Sequence, residues 1–235
     1  MFMIDNIYIL QIETATPVCS VAIGKNGETI AKIEADAPNL HASHLTLFIE
    51  QVLDTAAVTR ESLHAVAISM GPGSYTGLRI GVSTAKGLCY ALDIPLIAVN
   101  TLEAMVHGFV PQKTASDETS IYVPMIDARR MEVYMAQYNA KLQGVEHTVA
   151  RIIDNQAFAD ENKGQKYILF GSGADKFEAL FDENETVQVK VGFRNSASFF
   201  DKLAFQKFQQ GLFEDVVYFE PYYLKDFIAT TPKKR

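Results

Sequence analysis

Residues 69–88 read SMGPGSYTGLRIGVSTAKGL, and the fold is decided by how this run is understood. Gly73, Gly77, Gly81, Ala85 and Cys89 recur at every fourth position, so a helix here carries them as one nearly bare ridge. The rest of its surface is mostly apolar, with charge only at Arg79 and Lys86, which is the composition of a helix buried in a core or an interface. An interior glycine costs about 0.5 to 1 kcal/mol relative to alanine, so the close approach of another element must offset it. Three readings stand open: a phosphate cradle at a helix N-terminus, close packing inside the chain, and a face kept for a partner's helix. The first lacks the Gly-Lys-Ser/Thr ending of a P-loop, and its glycines miss the dinucleotide spacing.

Outward from this helix, residues 65–69 form a short apolar strand before it, and residues 93–100 and 102–109 form a strand and a helix after it. Upstream, residues 7–13, 18–23 and 28–34 read as strands, with Asn26-Gly27 a strong hairpin signal between the last two. Residues 39–58 change to helical period, with Leu45, Phe48, Ile49, Val52 and Leu53 on one face. The second half repeats the order: strands at 121–127, 132–138 and 145–152, helical pieces at 155–161, 175–181 and 196–209, and strands at 167–170 and 187–191. The fold class is therefore α/β, as two stacked lobes, each a mixed sheet flanked by helices. The polar segment 112–119 divides residues 1–111 from 112–235.

A chain of 235 residues with 48% hydrophobic content and mean hydropathy near zero can bury a real core. With no run of 18 apolar residues and no basic leader before an apolar stretch, neither a membrane span nor a secretory signal is expected. Cys19 and Cys89 sit among apolar neighbours and read as buried reduced thiols of a cytoplasmic protein. A net charge of −7 argues against a dominant nucleic-acid surface, and Lys225, Lys233, Lys234 and Arg235 read as a solvated tail.

Both first strands end in an acid, Glu13 and Asp127. Under a pseudo-twofold these would face one another across the cleft, where kinases and ATPases built on two such lobes hold metal and phosphate. Gly171-Ser172-Gly173 after a strand is the accompanying candidate phosphate loop. The plainer reading is two solvated acids. His41 and His44 lack the spacing and glutamate of a zinc helix, and Ser74 suits a helix N-cap better than a hydrolase elbow.

GPGSYTGLRIG at 71–81, ILQIETATPVCSVAI at 9–23, MIDARRMEVY at 125–134 and EPYYLK at 220–225 together closely resemble the TsaB family, bacterial partner proteins in the synthesis of threonylcarbamoyladenosine on tRNA. The resemblance implies a duplicated actin-like (RNase H-like) fold. It also implies a non-catalytic subunit that pairs with the transferase TsaD through N-terminal-lobe helices and supports turnover with the ATPase TsaE. tRNA is then reached only through the complex, and the chain alone forms a homodimer. Under this reading Gly73, Gly77, Arg79, Gly81 and Ala85, with Leu45, Phe48 and Val52, make the partner interface. Glu13, Asp127, Gly171 and Gly173 are then a vestigial cofactor site. No cofactor is expected of its own, with ATP or ADP placed at the interface with TsaD. TsaD carries a metal-binding His-x-x-x-His where this chain has AVNTLEAM at 98–105, so Thr101 and Met105 stand in place of imidazoles. Glu13 itself departs from the aspartate more usual in the family. The alternatives are a small-molecule kinase or ATPase and a glycoprotease-like metallopeptidase.

Overall fold

The computed structural model describes residues 6–37, 40–110, 118–158 and 164–225. Strand β1 (Tyr8–Glu13) is buried along nearly its whole length because both its faces are covered. Leu10 and Ile12 enter one apolar core, and Ile9 enters another. It pairs antiparallel with β2 (Val18–Lys25), which turns through Asn26 and Gly27, both at positive φ, into β3 (Glu28–Asp36). On its other edge β1 pairs parallel with β4 (Ala65–Gly71), and β4 with β5 (Leu96–Asn100). The sheet order is β3-β2-β1-β4-β5. Helices α1 (Leu40–Ala56) and α2 (Tyr75–Leu92) cover one face, as parallel crossovers require.

After α3 (Thr101–Phe109) the pattern returns. Strands β6 (Ser120–Asp127), β7 (Glu132–Tyr138), β8 (Gly144–Ile152), β9 (Lys166–Phe170) and β10 (Val187–Lys190) form a second sheet of order β10-β9-β6-β7-β8. Read from the other edge, this is the first sheet's order again, so the duplication expected from element order is present strand for strand. Helix α4 (Glu178–Phe181), led by a 3-10 turn at Asp175–Phe177, covers one face, and helix α5 (Asp201–Gln210) follows a 3-10 turn at Ala197–Phe200. Residues 155–158 form a turn rather than the start of a helix, and 159–161 fall outside the described residues. So do 112–117 of the expected boundary, Asn39, Lys233, Lys234 and Arg235.

The two central helices join the halves, with Ala104 of α3 also packing on the first sheet. Helix α3, from the first half, buries Leu102, Met105 and Val106 against Tyr122, Ile126 and Phe170 of the second sheet. Helix α5, from the second half, buries Leu203 and Ala204 with Phe200 against Ile9, Ala67, Ile97 and Val99 of the first. Asp201 fixes α5 in place: its carboxylate accepts from the Gln11 side chain at 2.8 Å and from the Thr29 N–H and hydroxyl at 2.8 and 2.6 Å. Downstream, Glu214 N–H donates to the Leu96 carbonyl, Phe219 enters the first core, and Tyr222 N–H donates to the Met70 carbonyl. Helix α5 and the segment through Tyr222 thus pack on the first lobe, joined by at least three backbone or side-chain anchors of about 1 kcal/mol each in addition to apolar burial.

Candidate functional site

Ser74 caps α2, accepting from the Gly77 N–H at 3.2 Å, as the sequence predicts. The helix that follows turns its glycine ridge inward. A Cβ on Gly73 would lie 2.6 Å from the Ala15 Cβ, and one on Gly77 or Gly81 would collide with the Thr14 carbonyl or hydroxyl oxygen, inside the 3.0 Å that real Cβ atoms essentially never breach. Ala85 and Cys89 continue the ridge into the first core. The glycines therefore let α2 lie directly on the residues that end β1. Of the expected partner interface, Gly77, Gly81, Ala85, Leu45, Phe48 and Val52 are all buried inside their own lobe, and Gly73 rests on Ala15. Arg79 is exposed but clasped within the chain, its guanidinium 4.3 Å from the Tyr75 ring centroid and its Nε donating to the Tyr223 hydroxyl at 3.2 Å.

What α2 shows to solvent is a different stripe. Thr76, Ser83, Gly87 and Tyr90 are exposed and Ile80 is half-buried, at intervals of four, three, four and three that place them on one helix face. Tyr90 is 86% exposed, and a Cβ on Gly87 would meet nothing within 4 Å. Leu47 of α1 is also exposed. These are the residues that sequence reasoning missed; the available signal was Ser83 and Gly87, two small residues four apart.

The two strand-end acids do not form a cleft pair. Glu13 is 1% exposed; its carboxylate accepts from the Ala15 N–H at 2.5 Å and bonds the Ser69 and Asn195 side chains. Burial pushes its pKa up to about 7, against the lowering effect of those hydrogen bonds. Asp127 is half-exposed and neutralised by Lys176 at 2.5 Å, while its Oδ1 accepts from the Arg129 N–H at 3.1 Å. Nor are Gly171 and Gly173 an open phosphate loop. Gly171, at φ 104°, is pressed on the Met125 carbonyl, and a Cβ on Gly173 would lie 2.7 Å from the Ile126 carbonyl carbon.

The cleft of about 300 Å³ between the lobes is lined instead by Thr16, Asp36, Ser172, Asp175, Arg194 and Asn195, among others. Its guanidinium is already engaged, with Arg194 Nη1 3.1 Å from Asp175 and Nε 3.9 Å from Asp36. Two carboxylates against one cation repel a polyphosphate rather than cradle it. Elsewhere, His41 bonds the Thr16 carbonyl at 2.8 Å while His44 bonds Ser43, so the two imidazoles serve separate local contacts.

Thr101 and Met105 open α3 behind Asn100, whose side chain accepts from the Leu102 and Glu103 N–H groups. Both are fully buried, and Met105 packs with Val106 and Phe170. Cys19 and Cys89 are free buried thiols, each pushed up to about 11 by burial. Among the described residues no helix is long and apolar enough to cross a membrane.

The comparisons agree with one another. The family described as TsaD, tRNA N6-adenosine threonylcarbamoyltransferase, matches residues 34–231. The tRNA threonylcarbamoyladenosine biosynthesis protein TsaB of Escherichia coli (strain K12) is 30% identical over 227 residues, covering 94% of this chain and 96% of its own. The protein of the same name from Bacillus subtilis (strain 168) is 31% identical over 133 residues, 57% of this chain and 56% of its own. The solved structure of YeaZ from Pseudomonas aeruginosa shares the fold, with TM-score 0.76 and 24% identity over 93% of this chain and all of that one. The chain belongs to the TsaB family of tRNA threonylcarbamoyladenosine biosynthesis proteins.

Proposed function

We propose that this protein is a non-catalytic subunit of the tRNA threonylcarbamoyladenosine-modifying assembly, pairing with a TsaD-type transferase and supporting its turnover together with TsaE. The observation that carries the reading is the burial of Thr101 and Met105. Where the transferase places two metal-binding imidazoles, this chain has an alcohol and a thioether sealed in an apolar core, neither suited to hold a hard metal. The engaged carboxylates of the interlobe cleft weigh against the kinase reading, so any ATP or ADP used belongs at the junction with the transferase. Reconstitution of threonylcarbamoyl transfer tests the proposal. Transfer is expected from the full mixture and is lost when this chain is omitted; transfer by this chain alone with tRNA and donor overturns it. Calorimetry with magnesium and ATP separates the kinase reading, which requires micromolar binding without a partner.

The docking face moves with the geometry, from the inward ridge to the outward stripe Thr76, Ile80, Ser83, Gly87 and Tyr90, with Leu47 exposed on α1. Small residues at Ser83 and Gly87 let another helix approach closely, flanked by apolar side chains that exclude water. The same stripe, unpaired in a purified sample, supports self-association. Gly87→Arg is expected to leave the melting temperature near that of the parent, because the position is open. It is also expected to weaken pairing with the transferase by more than about tenfold, the equivalent of about 1.4 kcal/mol. Undiminished pairing in a pull-down or by calorimetry moves the interface elsewhere.

A further inference from the structure

The turn between β6 and β7 plays no part in that reading. Arg129 and Arg130 occupy it at φ 75° and 54°, consecutive side chains in the left-handed region where glycine or asparagine is at ease and other L-residues are strained. The β2–β3 turn meets the same demand with Asn26-Gly27. Here the strain is tolerated for two arginines. Both are exposed, and neither guanidinium has a hydrogen-bond or ion-pair partner among the described residues. The acids that flank the turn are already matched: Asp127 with Lys176, and Glu132 with Lys225. Asp154, which follows the Ile153 N–H bond to the Met131 carbonyl, has its Oδ1 taken by the Gln156 N–H. Even counting its charge, the turn is net positive on a chain of net charge −7.

Retention of strain for uncompensated charge points to a ligand that the charge meets. Both side chains are exposed and neither lines the interlobe cleft, so a small anion held there would stay hydrated and screened. A polyanion differs, because each phosphate it neutralises releases condensed counterions. We infer that the Arg129–Arg130 turn is a direct contact for the phosphate backbone of the RNA on which the assembly acts. This rests on the function proposed above and adds to it an RNA-facing surface on a subunit whose overall charge argues against one.

The test uses the chain assembled with its TsaD-type partner and fluorescently labelled tRNA, titrated by anisotropy between about 50 and 200 mM salt. The variant is Arg129→Asn/Arg130→Gly, which suits the backbone and removes the charge. It is expected to melt about 4 °C higher than the parent. It is also expected to bind tRNA about tenfold more weakly at low salt, with the slope of log affinity against log salt less steep by about 1.5. Arg129→Lys/Arg130→Lys keeps the charge and is expected to keep the slope. Unchanged affinity and slope in the Asn/Gly variant overturn the inference, as does loss of the transferase itself from that variant on gel filtration. If the parent assembly fails to bind tRNA at all, the proposed function falls and this inference with it. Normal parent binding with an unaffected variant overturns this inference alone.

Discussion

Gly77→Ala is expected to lose about 3 to 5 kcal/mol of folding stability, a third or more of the margin of an ordinary domain. The added methyl cannot move aside, since α2 is fixed by its Ser74 cap and its core residues, and the atom it would strike is a backbone carbonyl. That carbonyl belongs to Thr14, at the end of the central strand β1. Relief would require the helix to lift from the sheet and open the first core. Gly81→Ala strikes the Thr14 hydroxyl and Ile68 and is expected to cost somewhat less, because side chains can turn. Gly87→Ala is the internal control. It lies in the same helix with open space around it, so the helix-propensity gain of up to about 1 kcal/mol should appear unopposed. Urea denaturation of the three variants reads the contrast directly. A Gly77→Ala midpoint close to that of Gly87→Ala would show that the ridge is not sealed against β1, and would return it to the list of faces open to a partner.

Those glycines also mark where sequence reasoning stops. A period of four establishes a bare ridge but not the surface it meets, and Thr14 and Ala15 lie some sixty positions upstream with nothing in their own pattern to announce the contact. Local signals fared better. Asn26-Gly27 set a hairpin, short apolar runs set the strands, and the repeated element order set two sheets of equal topology. Each depends on forces acting within a few residues. Helix α5 shows the boundary between the two kinds of information. Leu203 and Ala204 announce a buried face, yet no period says that the face belongs to the other half's sheet. The carboxylates divide in the same way. Position at a strand end is legible for Glu13 and Asp127, but the lysine opposite one and the closed pocket around the other come from segments far along the chain. Thr101 and Met105, singled out through a family motif, are both fully buried.

Glu13→Gln is expected to stabilise the protein by about 3 kcal/mol at pH 8 and by almost nothing at pH 4. The folded chain holds the Glu13 proton up to about pH 7, against an ordinary 4.5. Between those values the folded state retains a proton that the unfolded state has released, so this group's contribution makes stability fall as pH rises, and the loss is complete above pH 7. Glutamine has the size of the neutral acid and cannot ionise. Its carbonyl keeps the Ala15 N–H bond, and its amide takes the place of the acid proton toward Asn195, whose own amide can turn to accept. The carboxylate draws part of its hydrogen bonding from Asn195, next to the Arg194 and Ser196 contacts that seat the second half on β3. The charged form consequently loads the joint between the lobes. Thermal unfolding of parent and variant from pH 4 to 8 should give curves that coincide at the acid end and separate progressively above pH 4.5. Parallel curves would mean that the carboxylate is ionised throughout, stabilised by its hydrogen bonds more than it is penalised by burial.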